Sequence, residues 1–275
     1  MVAVFGGGGA KSIAHAGAWK ALGEAGLAPA QLIGTSFGAV VGAALAGGAS
    51  YDEVVITARS LSRRDVAPLD PLAFVKGMFA RSLLKSDGLR RAIARFVKAT
   101  RFAELLMPLT VTATDLDSGE LVLFGAGGGD APLHDALYAS CALPLYYPAA
   151  RVDGRRLGDG GLRAVLPLEV AARRSADLVV AVHVGPGFDE MLPPSRRTAV
   201  PPLIRAHGES ERIMMAAQVE RQIASWPADA PRLVVVRAVA EREATFAVEE
   251  MERYVQAGYR ETKRALADTL TRRLP

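Results

Sequence analysis

Val2-Ala3-Val4-Phe5-Gly6-Gly7-Gly8-Gly9-Ala10-Lys11 and Gln31-Leu32-Ile33-Gly34-Thr35-Ser36-Phe37-Gly38, with the residues between and just after them, decide the fold. Val2 to Phe5 is a short apolar run that stops at glycine. It reads as a buried strand feeding a glycine loop. Ile13 to Ala25 reads as a helix, with Ala16, Trp19, Lys20 and Leu22 near helical spacing and Gly26 as its stop. Gln31, Leu32 and Ile33 form a second short strand. Phe37 to Ala46 is a second helix, rich in alanine and valine and without charge, so it must be buried. Strand, turn, helix, strand, turn, helix is the order of a parallel α/β sheet.

Further out, Leu109 to Thr114, Leu178 to Val184 and Leu233 to Val236 are β-branched runs of strand length, and Leu121 to Phe124 pairs nearby. Residues 66–100 differ in character. Pro68, Pro71 and Gly77 interrupt them, and Phe74, Met78, Phe79, Leu83 and Leu84 alternate with Lys76, Arg81 and Lys85. The segment fits either an amphipathic layer over the sheet or a lid-like interfacial insert. Residues 185–202 hold five prolines and no period, which reads as a surface loop or flap. Leu203 to Ile223 reads as a helix. Phe246 to Leu270 reads as a final amphipathic helix, with Glu249, Glu250 and Glu252 near its start and Lys263 and Arg264 near its end, as the helix dipole favours. No internal repeat is present, and one domain over residues 1–275 is expected, with residues 203–275 as its C-terminal helical part.

Half of the 275 residues are hydrophobic and 23% are charged, enough for a sizeable core and unlike a disordered chain. The net charge of +4 is too mild to indicate a nucleic-acid partner and gives only weak attraction to anionic lipid. A lone cysteine, Cys141, allows no internal disulfide, and the opening residues lack signal-peptide features. Ala39 to Gly48 is too short to span a bilayer. The expectation is a cytoplasmic protein that touches membranes peripherally without crossing them; oligomeric state is left open.

Gly34-Thr35-Ser36-Phe37-Gly38 matches G-x-S-x-G, a sharp strand-to-helix turn that exposes one hydroxyl. With 27 glycines and 13 serines in 275 residues, composition gives roughly 0.13 chance matches. The pattern gains weight because it follows a predicted strand and opens a predicted buried helix. Its plain alternative is a tight turn with Ser36 as a helix cap. Gly6 to Lys11 can aim several backbone N–H groups at one point, for a phosphate or for an oxyanion. The missing G-x-x-x-x-G-K-[ST] spacing, and the absence of an acidic residue after the second strand, argue against nucleotide. Neighbouring parallel strands would bring this loop beside Ser36 at the carboxyl edge of the sheet.

Four histidines, His15, His134, His183 and His207, are available as a base, none within a motif. Asp159 stands in Leu157-Gly158-Asp159-Gly160-Gly161, read either as a solvated Asp-Gly turn or as a turn holding the carboxylate in an unusual backbone geometry. Asp115 and Asp117 have no further ligand spaced to complete a metal site. Lys11 suits an anionic head group or an acidic neighbour equally. Cys141 reads as a small buried hydrophobe, and Tyr146 and Tyr147 as pocket lining or core.

Together these residues resemble the patatin-like phospholipases. The likeness rests on Gly6 to Lys11 followed by His15, Gly17 and Leu22, on Gly34 to Gly38, on Asp159-Gly160-Gly161, and more softly on Ala139 to Pro144, which is similar to the family's loop before the aspartate. It runs from about residue 2 to residue 184. The resemblance implies a three-layer α/β/α fold with a mostly parallel central sheet. It implies a Ser36–Asp159 dyad without histidine, an oxyanion hole from Gly7, Gly8 and Gly9, lipid acyl-ester substrates, and no metal or organic cofactor. Gly6, Lys11, Gly34, Gly38, Gly160 and Gly161 carry the supporting motif positions. Ser12 departs from the family's glycine and is expected to cap the first helix. Ala164 and Val165 stand where the family often has asparagines, which would leave the aspartate loop without that bracing. Three readings follow: a lipid acyl hydrolase or acyltransferase, a catalytically weak regulatory or interaction protein of the same fold, and a hydrolase with a full Ser-His-Asp triad.

Overall fold

A computed structural model describes residues 1–191, 201–242 and 245–271. Its strands are β1 (Val2–Phe5), β2 (Gln31–Thr35), β3 (Leu109–Asp115), β4 (Leu121–Gly125), β5 (Ala150–Val152), β6 (Arg155–Asp159), β7 (Leu178–His183) and β8 (Arg232–Arg237). The helices are α1 (Ala14–Glu24), α2 (Phe37–Ala46), α3 (Tyr51–Arg59), α4 (Arg63–Val66), α5 (Pro71–Lys76), α6 (Ser86–Phe96), α7 (Leu133–Cys141), α8 (Gly161–Ala164), α9 (Leu168–Ala172), α10 (Pro202–Ala224) and α11 (Met251–Thr271). The eight strands form one sheet, paired in the order β5-β6-β3-β2-β1-β7-β8 with β4 also on β3. β3, β2, β1, β7 and β8 run parallel, whereas β4, β5 and β6 pair antiparallel.

The strands read as unbroken apolar runs because both faces of the sheet are covered. Ala3 and Phe5 of β1 pack with α1, α2 and α11 on one face. Val2 and Val4 point the other way, into a cluster with Leu168 and Val170 of α9 and Val219 of α10. The uncharged α2 is buried along its whole length, as its composition demanded. α11 docks on α1 in backbone contact: a Cβ on Gly17 would strike the Val255 carbonyl and one on Gly258 the Ala14 carbonyl.

Residues 66–100 divide into two kinds of structure. α6 is an ordinary amphipathic layer, with Leu89, Ile93 and Phe96 in the core. The stretch before it carries exposed apolar side chains; those of Phe74 and Met78, counted in the alternation above, lie outside the described residues. Of the expected loop over 185–202, residues 192–200 likewise lie outside them. The last helix begins at Met251, later than its sequence pattern suggested, because Val248–Glu250 form a separate tight turn ahead of it.

The feature that positions the site is the edge of β3. Its Leu109 to Thr112 pair with β2, and its Ala113 to Asp115 pair with β6. Ala113 and Thr114 also pair with β4, so β4 holds the opposite edge, and β2 and β6 follow each other along one edge. The parallel β2 ends at Thr35 opposite Thr112, while the antiparallel β6 ends at Asp159 opposite Ala113. Two strands therefore meet head to head on consecutive residues of β3, and their next side chains converge.

Candidate active site

Ser36, the residue after β2, has φ 54 and ψ −139, a conformation that a side chain adopts rarely. Such a residue costs on the order of 1–3 kcal/mol and persists only when its surroundings hold it. Its N–H donates to Ser140 Oγ at 2.8 Å. Thr35 beside it donates from Oγ1 to the Ala164 carbonyl at 2.8 Å and lies 2.7 Å from Thr112 Oγ1. Flanking glycines leave room for the turn: a Cβ on Gly34 would sit 2.5 Å from Ala39 Cα, and one on Gly38 2.6 Å from the Phe5 carbonyl oxygen.

Ser36 Oγ donates to Asp159 Oδ2 at 2.7 Å, and Gly161 N–H donates to Asp159 Oδ1 at 2.7 Å. The carboxylate is buried, and burial pushes its pKa up to about 7, against those two hydrogen bonds and with some help from the negative charge of Glu211. Desolvation dominates because water no longer solvates the charged form. The expected unusual turn geometry is corrected here. Asp159 is an ordinary strand residue and Gly160 is right-handed, φ −59. Glycine is needed at 160 for space, since a Cβ would lie 2.6 Å from the Thr112 carbonyl oxygen.

The sequence reading gave no role to the residues that hold the two halves in register. The Ala142 carbonyl accepts from Asp159 N–H at 3.0 Å and the Ser140 carbonyl from Gly160 N–H at 3.2 Å. Residues 139–141, expected in a loop, instead close the buried helix α7, which gives this strip its rigidity. Asp153-Gly154, both at positive φ, was the readable sign of the β5–β6 hairpin that ends at Asp159.

In the glycine loop, Gly6 N–H donates to Val182 O at 3.1 Å, Gly7 N–H to Val165 O at 2.8 Å and Ala10 N–H to Thr245 O at 2.9 Å. Gly7 thus spends its donor on the aspartate loop. Gly8 and Gly9 enter none of these bonds and line the same cavity as Ser36. Lys11 is buried and donates to Glu190 at 3.0 Å and to the Glu241 carbonyl at 2.7 Å, so it staples the loop internally. Ser12 does not cap α1. It is fully buried inside the turn Gly9–Ile13, which runs straight into the helix and leaves no N-terminal break to cap.

His15 Nε2 lies 2.8 Å from the Gly6 carbonyl, so it carries the proton, and its ring stacks on Phe5 at 4.5 Å. Burial lowers its pKa to about 4 and that of His183 to about 3. His134 bonds the Val97 carbonyl at 3.0 Å, and His207 pairs with Glu211 at 3.2 Å. Asp115 accepts from Asp117 and Ser118 N–H and pairs with Arg155, while Asp117 pairs with Arg156.

Ala164 and Val165 are both buried. The loop they occupy is braced from elsewhere: Thr35 holds the Ala164 carbonyl, and Gln218 of α10 accepts from Val165 N–H at 2.8 Å and donates to the Leu162 carbonyl at 3.2 Å. Ser36 and Asp159 open onto a cavity of about 130 Å³ whose other walls include Cys141, Leu143, Tyr147, Met215, Phe246 and Met251. Tyr147 also donates to the Val66 carbonyl at 2.7 Å, so it is both lining and core. A buried acid–hydroxyl pair, backbone donors unpaired among the described residues and an apolar slot are what attack on an ester of an apolar acyl group requires.

The sequence model of the patatin-like phospholipase family matches residues 3–172. The chain belongs to the patatin-like phospholipase family. Among its relatives is an uncharacterized NTE family protein of Mycobacterium tuberculosis, 37% identical over 180 residues, or 65% of this chain and 47% of that protein. Patatin-like phospholipase domain-containing protein 6 of Homo sapiens is 31% identical over 185 residues, 66% of this chain and 13% of that protein. The chain thus spans about half the length of the mycobacterial relative, and a far smaller part of the human one. Among solved structures it is similar to VipD from Legionella pneumophila, with TM-score 0.47, 14% identity and coverage of 97% of this chain and 66% of that one. Among the described residues, no helix is long and apolar enough to cross a membrane.

Proposed function

We propose that the chain is a serine-dependent lipid acyl hydrolase in which Ser36 is the nucleophile and Asp159 its base. The observation that carries this reading is the 2.7 Å hydrogen bond from Ser36 Oγ to a buried Asp159 at the end of an apolar cavity. A carboxylate with a pKa of about 7 is matched to taking a proton near neutral pH. Ser36 Oγ attacks the ester carbonyl as its proton passes to Asp159. The oxyanion is met by the N–H groups of Gly8 and Gly9, with Gly7 structural. Collapse expels the alcohol, which takes the proton from Asp159. Water then attacks the acyl-enzyme, gives its proton to Asp159, and releases the acid as that proton returns to Ser36. One oxyanion donor is typically worth ~3 kcal/mol.

The dyad is favoured over a triad because the Ser36 hydroxyl is held by Asp159 and none of the four histidines is among the residues that line the cavity. The bracing by Thr35 and Gln218 supports an active site over a catalytically weak protein. A fluorophosphonate probe tests the reading. It should label the wild type, fail on Ser36→Ala and label Asp159→Asn at least about a hundredfold more slowly. A folded wild type that stays unlabelled overturns it, and a histidine variant that abolishes labelling restores the triad.

A further inference from the structure

The stretch between α4 and α6 is a loop tied at its neck. Lys85 N–H donates to Pro68 O at 3.0 Å, Asp70 N–H donates to Leu83 O at 2.9 Å, and Leu69 pairs with Leu84. The neck is fastened to the rim of the cavity. Leu83 N–H donates to the Leu145 carbonyl at 2.8 Å and Leu84 N–H to the Tyr146 carbonyl at 2.9 Å, while Val66 and Leu89 at either end line the cavity. At and beyond the neck, the loop carries apolar side chains into solvent, although Ala73 is buried. Val75 is 84% exposed, Phe79 88% and Leu69 60%.

Single exposed apolar residues need no explanation, but several on one fastened loop do. The cations between them sharpen the point. Lys76, Arg81 and Lys85 are exposed and form no ion pair among the described residues. From Pro68 to Lys85 they stand against Asp70 alone, a local charge of 3 − 1 = +2. At another edge of the cavity Pro186 is part of the wall, and Phe188 and Met191 just after it are 50% and 74% exposed. Apolar side chains interleaved with cations suit the boundary between acyl chains and anionic head groups, where each is satisfied at its own depth.

We infer that the tip of this loop anchors the protein on an anionic lipid surface, with Val75 and Phe79 entering the acyl boundary and Lys76, Arg81 and Lys85 facing the phosphates. The cavity mouth is thereby set against the layer that holds its substrate. The inference deepens the proposed function, but it is tested without turnover.

Flotation of the Ser36→Ala protein with vesicles of phosphatidylcholine, with and without phosphatidylglycerol, is the experiment. Binding should need phosphatidylglycerol and weaken with salt. A Val75→Ser, Phe79→Ser double variant should bind more than tenfold more weakly. Lys76→Gln, Arg81→Gln and Lys85→Gln should each cost about fivefold. The same changes in the Ser36 protein should leave hydrolysis of a soluble short-chain ester unchanged, which also shows that they fold. Vesicle binding that ignores both sets of changes overturns the anchor. So does loss of self-association in sedimentation by the serine variant with vesicle binding intact, since the occupant is then a second copy. Vesicle binding without any soluble-ester turnover by wild type would sink the hydrolase reading and leave the anchor standing.

Discussion

Ser36 sits on strained backbone, φ 54 and ψ −139, whereas Asp159, whose Oδ2 lies 2.7 Å from its hydroxyl, closes an antiparallel strand of ordinary geometry. The serine half of the site is a local device. Its tight turn, its flanking glycines and the helix behind it are contiguous in sequence. The aspartate half is a product of register. Asp159 arrives because β6 takes over the edge of β3 on the residue after β2 leaves it. Strain at one partner and relaxation at the other mean that different substitutions should break the two halves.

The largest effect is expected from the charge of Asp159. Its pKa is raised from 3.8 to about 7 in the fold, so between these values the folded state holds a proton that the unfolded state has lost. Stability is therefore full below about 4 and falls as pH rises through about 7, by an upper bound of roughly 4 kcal/mol. Asp159→Asn should remove this fall: denaturant unfolding at about pH 4 and about pH 8 should show wild type losing more than the variant. Equal losses would mean that the buried charge is already compensated. Wild-type kcat/KM on a soluble ester should rise with pH through about 7, as the base ionises.

Gly160→Ala comes next. Its Cβ would meet Thr112, 2.6 Å from the carbonyl oxygen, on the very strand that sets the register. About 2–3 kcal/mol of lost stability is expected, with turnover falling alongside. A variant as stable and active as wild type would show that the edge of β3 yields, and that register is not what places Asp159.

Ser140→Ala strikes the strained half. It leaves the Ser36 N–H without its acceptor, at a cost of about 1–3 kcal/mol. Part of that cost should appear as a slower fluorophosphonate reaction with KM for a soluble ester unchanged, because the elbow relaxes while the cavity does not. A loss of stability with unaltered labelling would make Ser140 purely structural.

Gln218→Ala is the mildest test. It unpairs Val165 N–H and the Leu162 carbonyl, and about 1 kcal/mol of stability should be lost in thermal unfolding. No loss would mean that Thr35 and Gly7 suffice to brace the aspartate loop.

Much of this was legible before any coordinates. The apolar run at 2–5 and the β-branched run at 178–184 foretold strands buried in a covered sheet, because only such strands dispense with a polar side. The uncharged α2 foretold its own burial. G-x-S-x-G foretold the elbow, since the constraint it encodes spans five contiguous residues. Lys11 illustrates the limit. Its sequence context suits a head group as well as a carboxylate, and the choice fell to Glu190, some 180 residues away along the chain. The same limit applies to Ser12, which reads as a cap but lies where one helical turn runs into the next. It applies to Gly7 too, whose N–H looked free until Val165 was found to take it.

The sequence by itself determined the sheet, the buried helix behind the serine and the hydroxyl set on the strand-to-helix turn. These depend on periodicity and on steric demands between near neighbours. Tertiary structure decided which carboxylate meets that hydroxyl, which glycine donor is spent within the fold, and what replaces the bracing once sought at residues 164 and 165. Each of these depends on distances between segments tens to hundreds of residues apart, set by strand register and by the packing of α7 and α10 against the sheet.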